Sequence, residues 1–413
     1  MMPAMKILIA DKFEQVGRQR LADIGCEVVS DPSLSADALP AALAEHDPDA
    51  LIVRSTKVSA DAIAAGSRLK LVIRAGAGYD TIDVVAASRA GIFVANCPGK
   101  NAIAVAELTW ALILSCDRRV PDQTRDLRAG QWNKKEYGKA RGLFGRTLGV
   151  LGMGTIAREV VARARGFGMP VVAWSRSLTA EDAEALGVRH AATPLDVARS
   201  ADVVTVHVAS TGETRNLIDG AFVDAMKPGA YLVNTSRGAV VDEAALRQGI
   251  ADKGLRAGLD VYANEPGSGV AEWQPSLAAD AGFYGTHHVG ASTDQAQQAI
   301  AMEAVRVVQT YRDTGEVPNC VNRAVRSPAT CMLTVRHRNR PGVLAVVFDV
   351  LSKARLNVEE MENLIFDGAE TACARIRLDA QLTADKLDEI RAQSAEILGL
   401  ELTDLSPTTS NGA

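Results

Sequence analysis

The sequence predicts an α/β chain with two parallel sheets, followed by a smaller unit with an antiparallel sheet. Three observations predict it. Short apolar runs alternate with helical spacing through roughly the first hundred residues. A second alternating series begins at Thr147. The last part of the chain reads strand, helix, two strands, helix, strand. At 413 residues the chain has room for two to four domains of roughly 100–200 residues each.

In the first series KILIA at 6–10, ALIVR at 50–54, LKLVIRA at 69–75 and GIFVAN at 91–96 are the strands. The segments between them carry apolar residues at helical spacing, as at Val16, Leu21 and Ile24. A long apolar helix is predicted over about 102–119. It is too apolar for a solvent face, which places it between domains or subunits. The second series has TLGVLG, PVVAW, DVVTVHV, AYLVNT, RAGLDV and FYGTHHV as strands, enough for an open doubly wound sheet. A helix then runs from a Ser292–Gln295 capping box to a stop at Gly315, placed to pack back on the first series. Residues 316–328 hold two prolines and no periodicity, and read as a linker.

The third unit begins with TCMLTVRH as a strand. A helix with Pro341 near its first position follows. Next come two strands flanking Asp367-Gly368, a hairpin signal, then a helix over TADKLDEIRAQSAEI and a strand LELTDL. This is the βαββαβ order of a ferredoxin-like fold. The tail after 406 reads as disordered.

Composition bounds the function. Apolar residues are 47% and charged residues 23%, as in soluble globular proteins. Aromatics are only 4%, so aliphatic packing builds the core. Lys and Arg total 45 against 50 Asp and Glu, a net charge of −5. That balance argues against a nucleic-acid or anionic-membrane binder. No apolar run reaches the ~18 residues of a membrane span. Charge appears too early in MMPAMKILIADKF for a signal peptide, so a cytoplasmic protein is expected. The six cysteines form no CxxC pair, and no metal site is expected.

The sharpest local motif is Gly152-Met153-Gly154-Thr155-Ile156-Ala157, directly after a strand and opening a helix. Gly152 permits the tight turn and Gly154 lets backbone approach a pyrophosphate, while Ala157 allows close helix–strand packing. The helix N-terminus offers free N–H groups to phosphates. This predicts a dinucleotide-binding Rossmann domain. The next strand ends at Ser175-Arg176, where an NAD-selective site usually has an acid. Ser175 and Arg176 suit a 2′-phosphate, so both NAD and NADP stay open.

Three further segments end strands of the same series. NTSRG carries Arg237, LDVYANEP carries Asp260 and Glu265, and THHVG carries His287 and His288. Ligands of a doubly wound sheet sit at the carboxyl ends of its strands, so Arg237, Glu265 and a histidine are expected to converge. A guanidinium grips a carboxylate, and a carboxylate beside an imidazole favours its protonated form.

With VLGMGTIA, HVASTGETRNLI, NTSRGAVVDEAAL, LDVYANEP and THHVGAST in order, residues of about 1–318 resemble the D-isomer-specific 2-hydroxyacid dehydrogenases. The resemblance implies that Arg237 holds the substrate carboxylate and that Glu265 pairs with the proton-transferring histidine. Position in the motif favours His288, with His287 standing where the family usually has proline. It also implies cofactor contacts from Thr155, Ile156, His207, Thr214, Thr235, Asp260 and Gly290. The implied architecture is a flavodoxin-like substrate domain (1–101 and 291–318) and an NAD(P)-binding Rossmann domain (102–290). A linker (319–328) joins them to a C-terminal ACT regulatory domain (329–406).

LIVRSTKVSADAI, IRAGAGYDTIDVVAA and NCPGKNAIAVAELT resemble the phosphoglycerate dehydrogenase branch of that family. Arg54, Ser55, Thr56, Lys57 and Arg74 are then candidates for the substrate's phosphate and carboxylate, with backbone N–H groups around Gly76 and Gly78 completing an anion cradle. His337, Asn339 and Asn357 match an L-serine site that such ACT domains form between two chains. The expected reaction is oxidation of 3-phospho-D-glycerate to 3-phosphooxypyruvate, the first step of L-serine biosynthesis, in a homodimer or homotetramer. The alternatives are a glyoxylate or hydroxypyruvate reductase of the same family, and an NADH-sensing, corepressor-like interaction protein.

Overall fold

A computed structural model describes residues 4–266, 270–324 and 327–406. It divides into two compact units, Met1–Asn322 and Arg323–Ala413. The tail expected to be disordered lies outside the described residues.

The first unit contains two parallel sheets. The smaller is built from β1 (Lys6–Ile9), α1 (Gln15–Asp23), β2 (Glu27–Ser30), α2 (Leu39–His46), β3 (Ala50–Val53), α3 (Ala60–Ala65), β4 (Leu71–Arg74), α4 (Val84–Arg89) and β5 (Phe93–Asn96). Its strand order is β2-β1-β3-β4-β5, the flavodoxin-like order. Helices cover both faces, so β3 is apolar at every position and fully buried. The edge strand β2 has only two apolar residues and no fully buried one; it has no such run and was not predicted.

Next come α5 (Ala102–Arg118), α6 (Val120–Arg128) and α7 (Lys134–Tyr137). The larger sheet follows, with β6 (Leu148–Leu151), α8 (Thr155–Gly166), β7 (Val171–Trp174), α9 (Ala180–Ala185), β8 (Arg189–His190) and α10 (Pro194–Ser200). It continues through β9 (Val203–Val206), α11 (Gly220–Ala225), β10 (Tyr231–Asn234), α12 (Glu243–Lys253), β11 (Arg256–Leu259) and β12 (Phe283–Gly285). The order β12-β11-β10-β9-β6-β7-β8 reverses direction at β6 and β9, the switch point where a Rossmann sheet binds its ligand. The two-residue β8 also escaped the sequence reading.

The apolar length of α5 is accounted for within the chain. Leu112 and Cys116 lie against Gly258 of β11. Trp110 stacks on Phe167 with centroids 4.3 Å apart and donates its indole N–H to Val160.

Helix α13 (Asp294–Thr314) returns to the smaller sheet, where Ile300, Ala304 and Val308 join Ile7, Ile9 and Leu21 in one core. Its N-cap is Thr293, which accepts from the Ala296 N–H, and not Ser292 as expected. Ser292 instead accepts a hydrogen bond from Arg54. Gly315, at φ +78°, ends the helix in the left-handed cap that glycine favours. Residues 319–322 are not linker. Val321 bonds to Val94, and the Asn322 side chain accepts from the Val94 N–H, along β5.

The second unit consists of β13 (Cys331–Arg338), α14 (Val343–Lys353), β14 (Val358–Ile365), β15 (Thr371–Leu378), α15 (Ala384–Gln393) and β16 (Ile397–Asp404). Its antiparallel order β14-β15-β13-β16 is ferredoxin-like. Alternate residues of β13 and β15, among them Leu333, Val335, Ala374 and Ile376, meet Val347, Val350 and Ile390 from the helices. Pro341 stands one residue before the N-cap, Gly342, near the helix start as expected.

Candidate active site

The glycine loop joins β6 to α8 at the switch point. Gly152 has φ +89°, and a side chain there would bring a Cβ to 2.5 Å from the His207 carbonyl. Gly154 is the N-cap of α8, with no side chain capping the helix, and a Cβ on it would meet nothing within 4 Å. The first-turn N–H groups, at Thr155 and Ile156, have no side-chain cap and stand at a positive dipole end. Ala157 is fully buried against the sheet. This is a cradle into which a pyrophosphate fits.

The remaining cofactor candidates divide into two groups. Ser175 and Arg176 follow β7, and Arg176 is exposed and ion-paired with Glu213 at 2.6 Å. His207 bonds to Thr205 at 2.8 Å while its Nδ1 is buried without a partner. Burial drives its pKa down to about 3, so it brings a neutral imidazole to the loop. The others are engaged within the protein. Thr214 donates to the Ala209 carbonyl at 2.6 Å, and Thr235 meets Thr109 at 2.9 Å. Asp260 is buried, and its carboxylate accepts from Thr286 at 2.6 Å and from the N–H groups of Val289 and Gly290, both at 2.9 Å. Asp260 and Gly290 therefore hold the histidine loop in place.

Arg237 leaves β10 in a turn tied by Asn234, which accepts from Ser236 and donates to the Arg237 carbonyl. Its Nε donates to Asp80 at 2.9 Å and its Nη1 to the Ser236 carbonyl at 2.7 Å. Nη2 lies over Gly78, where a Cβ would sit 1.7 Å away.

Glu265 accepts from the Tyr262 N–H at 2.8 Å and faces Nδ1 of His288 at 2.7 Å. Burial, the largest influence on the Glu265 carboxyl, pushes its pKa up. Hydrogen bonds from His288 and Tyr262 and the charges of His288 and Arg237 outweigh it and hold the pKa below the usual value. His288 sits at φ +53°, a left-handed conformation unusual for a side chain of this size. Both histidines are exposed, and the Glu265 carboxylate engages His288.

The smaller sheet supplies arginines at the ends of β3 and β4. Asp11 accepts the backbone N–H groups of Arg54, Ser55 and Thr56, at 2.7, 3.2 and 3.1 Å. Those amides shape the loop, leaving the Arg54 guanidinium to reach Ser292 at 3.3 Å. Lys57 is exposed. Arg74 folds over Gly76, and its Nε is buried without a partner. Its pKa falls to about 10, first through burial and then through the positive charges of Arg237 and Arg54. Gly76 does not offer its own N–H to the expected anion cradle. Its N–H is donated to the Arg74 carbonyl, and the missing side chain makes room for a guanidinium.

The site thus brings three guanidinium groups near one imidazole–carboxylate pair, beside a glycine cradle at the switch point. Residues 110–290 match the family model described as D-isomer specific 2-hydroxyacid dehydrogenase, NAD binding domain. The chain is 37% identical over 310 residues to a hydroxypyruvate reductase of Thermotoga maritima, covering 74% of this chain and 98% of that one. The chain belongs to the D-isomer-specific 2-hydroxyacid dehydrogenase family.

Other members extend the comparison. A D-3-phosphoglycerate dehydrogenase of Methanocaldococcus jannaschii is 39% identical over 297 residues, 71% of this chain. This chain spans only 55% of that protein's length. The NAD⁺-bound 3-phosphoglycerate dehydrogenase structure from Entamoeba histolytica superposes with a TM-score of 0.65 at 26% identity, covering 78% of this chain and all of that one. The chain therefore carries the NAD-binding domain of its family, and the glycine cradle fits that cofactor. Among the described residues, no helix is long and apolar enough to cross a membrane.

In the second unit the three regulatory candidates do not meet within one chain. His337 is buried, its ring against the Arg338 carbonyl at 2.8 Å and Asn363 at 3.2 Å. Asn339 donates to the Ala369 carbonyl at 3.0 Å. Asn357 bonds to Glu359 at 2.7 Å. Strand register places the next residue, Val358, across from Leu378 and so level with Cys331. That is the far end of β13, about 20 Å from His337 at the strand rise per residue.

Sequence reasoning missed Asp11, Asp80, Tyr262, Glu213 and Ser292. Asp11 was reachable, since it lies just beyond the carboxyl end of β1, where ligand-side residues of a parallel sheet collect. Asp80 and Glu213 act through arginines 157 and 37 residues away, and no local pattern marks them.

Proposed function

We propose that this dehydrogenase oxidises 3-phospho-D-glycerate to 3-phosphooxypyruvate with NAD, as the first step toward L-serine. The observation that carries the reading is the convergence of Arg54, Arg74 and Arg237. Like charges close enough to depress the Arg74 pKa call for a polyanionic ligand, and Asp80 neutralises only one of them. A substrate with a carboxylate and a phosphate matches that surplus.

In this reading Arg237 grips the carboxylate, while Arg54 and Arg74 take the phosphate. His288 presents its Nε2 to the substrate hydroxyl, and Glu265 fixes its Nδ1. Neutral His288 accepts the hydroxyl proton during oxidation, and the imidazolium returns it during reduction. Thr155 and Ile156 donate N–H groups to the pyrophosphate, with Gly152 and Gly154 giving the backbone room to do so. When bound, the nicotinamide accepts the hydride.

The second unit is assigned the role of an ACT-type regulatory domain. Its βαββαβ order and the HRNRPG loop support this. Serine binding at His337 and Asn339 would need Asn357 from a second copy, consistent with a homodimer or homotetramer.

A second reading is a hydroxypyruvate or glyoxylate reductase, favoured by the full-length match to the Thermotoga protein. Initial rates with 3-phospho-D-glycerate, NAD⁺ or NADP⁺ and a phosphooxypyruvate trap, with and without L-serine, separate them. Turnover suppressed by serine supports both the substrate and the regulatory role. Turnover unaffected by serine removes the regulatory role alone. Turnover only with hydroxypyruvate or glyoxylate and a reduced cofactor overturns the first reading.

A further inference from the structure

We infer that Glu213 sets the cofactor preference of this chain, an inference that rests on the dinucleotide reading of the glycine loop. The end of the second Rossmann strand reads the ribose 2′ position, normally with an acid that accepts from the 2′-hydroxyl and repels a 2′-phosphate. This chain has Ser175-Arg176 there, a pair suited to the phosphate. Arg176 is nevertheless engaged. Its Nη1 donates to the Glu213 carboxylate at 2.6 Å.

Glu213 comes from the loop after β9, and Arg176 from the loop after β7. In the sheet β6 lies between those strands, so the bond spans the side of the crevice where β6 turns into α8. The acid missing from the end of β7 is thus supplied from the opposite side of the crevice. Both side chains are about three-quarters exposed, 79% for Arg176 and 74% for Glu213. Such a pair adds little to folding stability. Its consequence is local charge. With Glu213 in place the ribose end is neutral and carries a carboxylate, which suits NAD. A 2′-phosphate would have to displace that carboxylate from Arg176 and remain beside it, at a cost of about tenfold in affinity for a dianion some 5 Å away in a water-like dielectric. Without Glu213 the same arginine becomes a phosphate site.

The test is calorimetric titration of the full chain and its variants with NAD⁺ and NADP⁺, with no substrate and no turnover. Glu213→Gln is expected to tighten NADP⁺ binding about tenfold and to leave NAD⁺ within about twofold. In an Arg176→Gln background NADP⁺ binding is expected to stay weaker than in Glu213→Gln alone, because the freed guanidinium is no longer there to receive the phosphate. An unchanged NADP⁺-to-NAD⁺ affinity ratio in Glu213→Gln, with the wild type binding NAD⁺ normally, overturns the role of Glu213 and leaves the dinucleotide site standing. A wild type that binds neither dinucleotide overturns both.

Discussion

Gly78 and Arg237 occupy complementary space: a Cβ on Gly78 would lie 1.7 Å from Nη2 of Arg237. One residue follows β4 in the smaller sheet and the other follows β10 in the larger. The guanidinium is held on its other nitrogens by Asp80 and the Ser236 carbonyl. The Gly78 backbone is not left-handed, so alanine is compatible with the fold there. Gly78→Ala is expected to push Arg237 out of register and raise KM for the acid substrate at least ~10-fold, with unchanged NAD affinity. Initial rates and a dinucleotide titration check both parts.

The Glu265–His288 pair makes a different prediction. His288→Ala removes the proton acceptor and is expected to lower kcat by about 10²–10⁴-fold. Glu265→Gln keeps the shape but loses the charge that orients the imidazole, and is expected to give a smaller loss. Dinucleotide affinity should stay near the wild-type value in both. Wild-type turnover in His288→Ala would remove the histidine from the mechanism.

Stability in acid should report on Glu303. This buried carboxylate of α13 accepts from Arg306 and Asn319 and pairs with Lys100. It thereby ties the returning helix to the chain leaving β5. The hydrogen bond from Arg306 leads the influences that lower its pKa to about 2. A pKa lowered in the folded state stabilises fully above the unfolded value and loses that contribution as pH falls through the folded one. Glu303→Gln is expected to cost on the order of 2–3 kcal/mol at pH 7, with the gap to wild type narrowing below about pH 4.5. Urea unfolding at pH 7, 4 and 3 measures it.

Gly152→Ala tests the nucleotide loop. Alanine would have to adopt φ +89° with its methyl group 2.5 Å from the His207 carbonyl oxygen. A loss of at least ~2 kcal/mol in stability and of measurable NAD binding is expected. Denaturant unfolding and a fluorescence titration read the two effects.

Much of this was legible in the sequence because buried parallel strands are continuous apolar runs. Val203–Val206 and Tyr231–Asn234 could be read that way, whereas Glu27–Ser30 at a sheet edge and the two residues Arg189–His190 could not. The helix start slipped from Ser292 to Thr293 because two adjacent hydroxyl residues offer the same local signal, and only the distant Arg54 distinguishes them. Residues 319–322 show no periodicity because backbone bonds and the side chains of Asn319 and Asn322 hold them to β5, with Val321 packed on the core. The glycines were recognised as anion-loop residues, but their fit to Arg74 and Arg237 depends on contacts that spacing does not encode.

The most direct test compares kcat/KM for 3-phospho-D-glycerate with that for D-glycerate under saturating NAD⁺. Three converging arginines predict a preference of at least ~100-fold for the phosphorylated acid, the order expected when a charge-assisted partner is lost. Equal values, or a preference for D-glycerate, would contradict the assignment of Arg54 and Arg74 to a substrate phosphate.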